Sequence, residues 1–365
     1  MEIVIIIKIA LNLTLVLTGF ACAYVALAIP KSNPEMASSL LIALLIAFSG
    51  EYVWLGLLIG IILHYNITIV HVCSRAPAWS GLLATKLTRR KFVTTFHGTY
   101  NFNGKFKKFY NSVMVRSDLI IAGSNFIFSH IKENYSEFLT NEKKFLVIFR
   151  GINVDYFDSS TKLENDEKNL LQKWNIHDEK KIILMPGRLT SWKGQELFIE
   201  AINLVKIELG YEAFHAVILG NDQGRDLYKK KLIRLAEQYR LTNQIKFIDH
   251  CEDMALAYKV SDIIVSASIE PEAFGRVAVE AQSMEKLIIA SNIGGSNETI
   301  NDEKTGFLFK SGDAVSLSKK IIRGLTMDET SINLMGKKGR DNIIKKFNVE
   351  KMCFSTYSEY KRLLN

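Results

Sequence analysis

From residue 66 onward, short aliphatic runs alternate with amphipathic segments, and this alternation restricts the fold more than any other feature. ITIVHV (67–72), KFVTTF (91–96), DLIIAG (118–123) and FLVIF (145–149) read as buried strands with helical stretches between them. A polar, charged passage at 158–180 then breaks the rhythm, as a domain junction does. The alternation restarts with KIILMPG (181–187), FHAVILG (214–220), IKFID (245–249), DIIVSAS (262–268) and LIIAS (287–291). Strands alternating with helices imply parallel sheets covered on both faces, and the restart implies two of them. Ligands in such sheets bind beyond the carboxyl ends of the strands, so the expected site is a cleft where two sets of strand ends meet.

The first 65 residues have another composition. Residues 9–29 carry no charge, long enough to cross a bilayer; 39–65 are nearly as apolar but contain Glu51. A membrane hairpin and a buried core segment both remain open. A secretory signal is disfavoured, because Glu2 and Lys8 make a poor basic start and no clear small-residue cleavage site follows. The net charge of +8 suits phosphorylated ligands, nucleic acid or an anionic surface without choosing among them. Cys22, Cys73, Cys251 and Cys353 are too scattered for a zinc site or disulfide framework, which fits a reducing cytosol. No G-x-G-x-x-G, G-x-x-x-x-G-K-[ST] or H-E-x-x-H motif occurs, so the usual dinucleotide, NTPase and zinc readings lose support.

What carries chemistry sits at strand ends of the second half. In MPGRLTSWKGQELFIEAI, a strand ends at Gly187 and a helix begins near Gly194, so Arg188 and Lys193 leave the turn beside a helix N-terminus. That place suits a diphosphate, although two ordinary surface cations would read the same way. In EPEAFGRVAVEA (270–281), a helix over 273–283 would put Glu272 at its start and Glu280 two turns on, roughly 80° away around the axis. Backbone N–H groups of 273–276 would face an anion, and Gly275 would permit close approach. The bland alternative is a capping acid and a solvated one. SNIGGSNETI then places Gly294, Gly295 and Glu298 after the next strand, either as a ligand turn or as a plain tight one.

Together, GRL…K, EAFGRVAVE and GG…E, with HVCSRAPAWSGLLATKL, FVTTFHGTYNF, AGSNFIFSHI and FRGINVDYF upstream, resemble the retaining nucleotide-sugar glycosyltransferases of family 4, of the bacterial lipopolysaccharide core and capsule type. The resemblance covers 66–365. It implies an α/β GT-B architecture of two facing Rossmann-like domains with parallel sheets: an atypical apolar 1–65, an acceptor-side domain 66–165, a nucleotide-sugar domain 166–346 and a helix 347–365 crossing back. It implies transfer from a UDP- or GDP-sugar, with retention, to a cell-envelope glycan or lipid-linked acceptor. Arg188 and Lys193 would neutralise the diphosphate, Glu272 hold the transferred sugar and Glu280 the ribose. Gly187, Gly220, Asn221, His250 and the loop Ala273, Phe274, Gly275 and Arg276 would complete the donor site. His97 would face the donor sugar and acceptor, with Ser74 and Arg75 near acceptor groups.

No cofactor is expected, and no metal, because no well-placed Asp-x-Asp pair occurs. The clustered Lys105, Lys107, Lys108 and Phe106, Phe109, Tyr110 of NFNGKFKKFYNSVMVR, read as a helix, suggest a membrane surface, whereas nothing reads nucleic acid. The expected location is the cytoplasmic face of a bacterial inner membrane, peripheral or anchored by 9–64. The family's opening glycine-rich turn has no counterpart in 1–65. The rival reading is therefore a non-catalytic nucleotide-sugar-binding protein, or a membrane protein with a degraded first domain.

Overall fold

The computed structural model describes residues 55–139, 144–160, 164–210 and 214–365; the expectations for 1–54 lie outside them. Its contacts divide the chain into two units. One holds the described residues up to Gly123, with Ile127–Ile148 and Ser355–Asn365; the other holds Ser124–Phe126 and Phe149–Phe354. The polar passage after residue 158 lies in the second unit and carries the helix Glu164–Lys173.

In the first unit, β1 (Ile69–Val72), β2 (Lys91–Phe96), β3 (Leu119–Ala122) and β4 (Lys144–Val147) form a parallel sheet in sequence order. A helix at 55–64 precedes β1, burying Leu58 and Ile62 against Ile67 and Ala84. No described helix is long and apolar enough to cross a membrane. The lysine-rich segment is helical only over Lys105–Asn111, because it tightens into a 3₁₀ turn at Ser112–Val115 whose residues are all buried. Behind the sheet, His71 shares a hydrogen bond with the Thr95 hydroxyl at 2.7 Å and another with the Tyr360 hydroxyl. Burial and nearby His97 push its pKa down to about 4, so the ring is neutral at pH 7.

The second unit contains β5 (Lys181–Pro186), β6 (Phe214–Leu219), β7 (Ile245–Ile248), β8 (Ile263–Ser266), β9 (Leu287–Ser291) and β10 (Phe307–Phe309). They run parallel in the order β10-β9-β8-β5-β6-β7. Successive side chains of a strand point to opposite faces. Accordingly Ile183, Met185 and Val265 enter one core cluster, while Ile182, Leu184 and Ile264 enter the other. Both faces are buried, as the continuous aliphatic runs require. β10 was not foreseen, since three residues at a sheet edge leave almost no periodic signal.

One local reading is corrected. The helix expected over 273–283 begins at Arg276, because Gly275 adopts a left-handed conformation (φ +78°) that a continuing helix cannot contain. Glu272 therefore lies in the loop before it rather than at its N-terminus. Arg75 is engaged within the fold: its guanidinium donates to Asn111 Oδ1 at 2.9 Å and lies over the Tyr100 ring at 4.6 Å.

Candidate active site

In the second sheet β5 pairs with β6 on one side and β8 on the other, so the connections leave β5 and β8 in opposite directions. Such a reversal opens a crevice beyond the carboxyl ends of the two strands. The loops that follow β5 and β8 carry the residues singled out from the sequence.

After β5, the chain passes Gly187 and Arg188 and forms a short 3₁₀ turn at Ser191–Lys193. It then reverses at Gly194 (φ +78°), and the helix Gln195–Leu209 starts. A Cβ at Gly194 would lie 2.0 Å from the Ala267 carbonyl oxygen, so only glycine lets this turn press against the end of β8. That approach delivers Lys193 to Glu272, with Nζ 2.7 Å from Oε1. Both side chains are nearly buried, at 13% and 12% exposed. The Lys193 ammonium also lies 4.5 Å from the centre of the Trp192 ring. Ser268, buried just past β8, donates its hydroxyl to the same Oε1. Among the described residues both of these bonds fall on Oε1.

Gly294 fixes Glu272 from the other side. It has φ +59°, and a Cβ there would lie 2.6 Å from the Glu272 carbonyl oxygen. Gly295 donates its N–H to that carbonyl at 2.8 Å. The paired glycines thus serve packing against the loop 272–275.

Glu280 is buried, at 5% exposed, and both of its oxygens are engaged. Oε2 accepts from the Tyr258 hydroxyl at 2.8 Å, and Oε1 accepts from Arg276 Nε and Nη2 at 3.0 and 2.6 Å. Glu280, Arg276 and Phe274 line a pocket of about 430 Å³ with Arg150, Asn153 and Tyr156. Burial and the Glu280 charge push the Tyr258 hydroxyl well above its usual range, so it stays protonated and donates. Among the described residues no group of three or more His, Cys, Asp or Glu could hold a metal ion.

The other expected residues are placed as follows. Arg188 is exposed on the turn after β5; its carbonyl accepts from Gln195 Nε2, and no side-chain bond joins it to the Lys193–Glu272 pair. Gly187 donates to Leu219 O at 2.8 Å, and Gly220 packs so closely that a Cβ would lie 1.9 Å from Gly187 O. Gly220 therefore has a packing reason to be glycine. Asn221 caps its own turn through the Gln223 N–H, and His250 is exposed after β7. Ala273 is half-buried in the loop before Gly275. His97 is exposed just past β2 in the first unit, where its backbone bonds the Tyr100 hydroxyl.

Tyr258, Ser268 and Trp192 were missed from the sequence. Ser268 and Trp192 are near neighbours of Glu272 and Lys193 in the chain and could have been suspected. Tyr258 lies inside the helix Met254–Lys259 and offers no local signal.

Residues 166–342 match the family model "Glycosyl transferases group 1", and residues 41–156 match "Glycosyltransferase Family 4". A glycosyltransferase from Rickettsia africae, solved as a crystal structure, is 37% identical; the match covers 92% of this chain and 84% of that one, with a TM-score of 0.79. An uncharacterized glycosyltransferase of Methanocaldococcus jannaschii is 26% identical over 301 residues, covering 78% of this chain and 72% of the relative. The fold is also that of Anabaena HepE in complex with UDP-glucose, 20% identical, with a TM-score of 0.74 over 84% of this chain and 82% of that one. With two parallel-sheet Rossmann-like domains and a matching relative along most of its length, this chain belongs to the family 4 type glycosyltransferases.

Proposed function

We propose that the protein moves a sugar from a nucleoside-diphosphate sugar to a cell-envelope glycan or lipid-linked acceptor, with retention at the anomeric carbon and without a metal ion. The observation that carries this reading is the nearly buried Lys193–Glu272 pair at the sheet's reversal point, which sets a cation beside a carboxylate in the loops that follow β5 and β8. As the bond from the anomeric carbon to the diphosphate breaks, Lys193 and the exposed Arg188 offset the charge growing on the leaving group. Glu272 Oε2 accepts from hydroxyls of the transferred sugar. Retention has the acceptor oxygen bond to that carbon on the face the diphosphate leaves, its proton passing toward the departing phosphate oxygen. His97 acts on the acceptor side. The UDP-glucose complex of the HepE neighbour supports a nucleotide-sugar donor of this class.

The test incubates purified full-length protein with UDP- and GDP-sugars and follows release of the nucleoside diphosphate. Release is the expected result. Donor binding without any release, with acceptor extracts supplied, favours the non-catalytic rival.

A membrane-facing acceptor is supported by an amphipathic patch on the first unit. On the helix Lys105–Asn111, Phe106 is 79% and Phe109 50% exposed beside exposed Lys105 and Lys107. Exposed apolar side chains on one helix with lysines suit an anionic bilayer surface, here the cytoplasmic face of the inner membrane. Phe106→Glu with Lys107→Glu should lower co-sedimentation with phosphatidylglycerol vesicles about tenfold, and 0.5 M salt should weaken wild-type binding. Unchanged co-sedimentation of the double variant removes the patch from the reading.

A further inference from the structure

Glu280 is held by two partners of opposite character. Tyr258 is fully buried and approaches Oε2 from the core, within a helix whose N-cap Asp253 is itself bonded by the Tyr156 hydroxyl. Its ring packs edge-on against Phe157 at 6.0 Å, leaving the hydroxyl little freedom to turn elsewhere. Arg276, by contrast, reaches Oε1 from the pocket side with 63% of its side chain exposed. An exposed ion pair exchanges readily with competing donors, whereas a buried hydrogen bond to a charged group does not.

We propose that Tyr258 is a positioning residue for donor binding, fixing one oxygen of Glu280 from within the core so that the other, covered at rest by Arg276, is presented to the ribose hydroxyls of the nucleotide. This rests on the reading that Glu280 holds the ribose. Without the tyrosine hydroxyl, a carboxylate this deeply buried has Arg276 as its remaining partner, and the side chain swings toward the arginine and away from the ribose position. Packing does not require the hydroxyl, since phenylalanine fills the same volume in the cluster around Phe157 and Ile264.

The experiment measures dissociation constants of UDP and GDP, and of their 2′,3′-dideoxy counterparts, for full-length wild type, Tyr258→Phe and Glu280→Gln, with thermal unfolding of each. Wild type should favour the ribonucleotide, and Glu280→Gln should lose that preference. Tyr258→Phe should weaken ribonucleotide binding about tenfold while dideoxynucleotide binding moves less than about twofold. A purely structural tyrosine would weaken both nucleotides equally. Equal weakening, or none, overturns the proposal for Tyr258 while the donor site stands, provided Glu280→Gln still loses the preference. If Glu280→Gln keeps it, or wild type binds neither nucleotide, the ribose reading itself falls.

Discussion

Replacing Lys193 by alanine is expected to lower kcat/KM for sugar transfer by about 10²–10³-fold, the usual cost of removing one preorganised group that meets developing negative charge. The lysine is held by Glu272 and rests over Trp192 without any donor, so in the proposed mechanism it would meet the leaving group without reorganising. The same substitution strips a nearly buried carboxylate of its cation, which costs roughly 3–5 kcal/mol of stability. The two effects separate in the double variant Lys193→Ala with Glu272→Gln. That protein no longer buries an unpaired charge and should regain most of the lost melting temperature, yet it should remain as inactive as the single variant. Wild-type turnover in Lys193→Ala would remove this pair from the chemistry.

Gly194→Ala is expected to be among the most damaging single methyl additions in the second unit. Its backbone lies at φ +78°, where an L side chain costs about 1–2 kcal/mol, and the new carbon would also lie 2.0 Å from the Ala267 carbonyl oxygen. The turn after β5 must retreat from the end of β8, and Lys193 retreats with it. We expect a loss of about 3–5 kcal/mol, or roughly 10 °C in melting temperature for a unit of this size, together with loss of transfer. Gly312→Ala supplies the control: its φ is +75°, but nothing lies within 4 Å of the added carbon. That variant should lose only about 1 kcal/mol and keep full activity. Equal effects at the two positions would mean that close approach of the loops does not build the site.

The strands were legible because each is a short aliphatic run buried on both faces, and a residue such as Ile264 needs no partner to announce that it is apolar. Lys193 and Glu272 were legible for a similar reason: each lies just past a strand, where parallel sheets place their ligands. What pairs with them was less legible. The sequence suggested that the acids were there to grip a ligand, whereas the folded chain first sets Lys193 on Glu272 and Arg276 with Tyr258 on Glu280. The helix start was misplaced by three residues because helical propensity over 273–275 says nothing of the left-handed turn at Gly275.

By itself, then, the sequence determined the class of fold, two parallel-sheet α/β units, and the identity of the charged side chains at the strand ends. Hydrophobic periodicity and turn chemistry are local and can be read along one chain. The tertiary structure alone decided the order β10-β9-β8-β5-β6-β7, and with it the reversal at β5 and β8 that brings residues 193 and 272 within 2.7 Å. The reversal is set by the pairing of β5 with β8, whose partners lie 80 residues apart and whose energy arises from mutual burial that neither segment encodes alone.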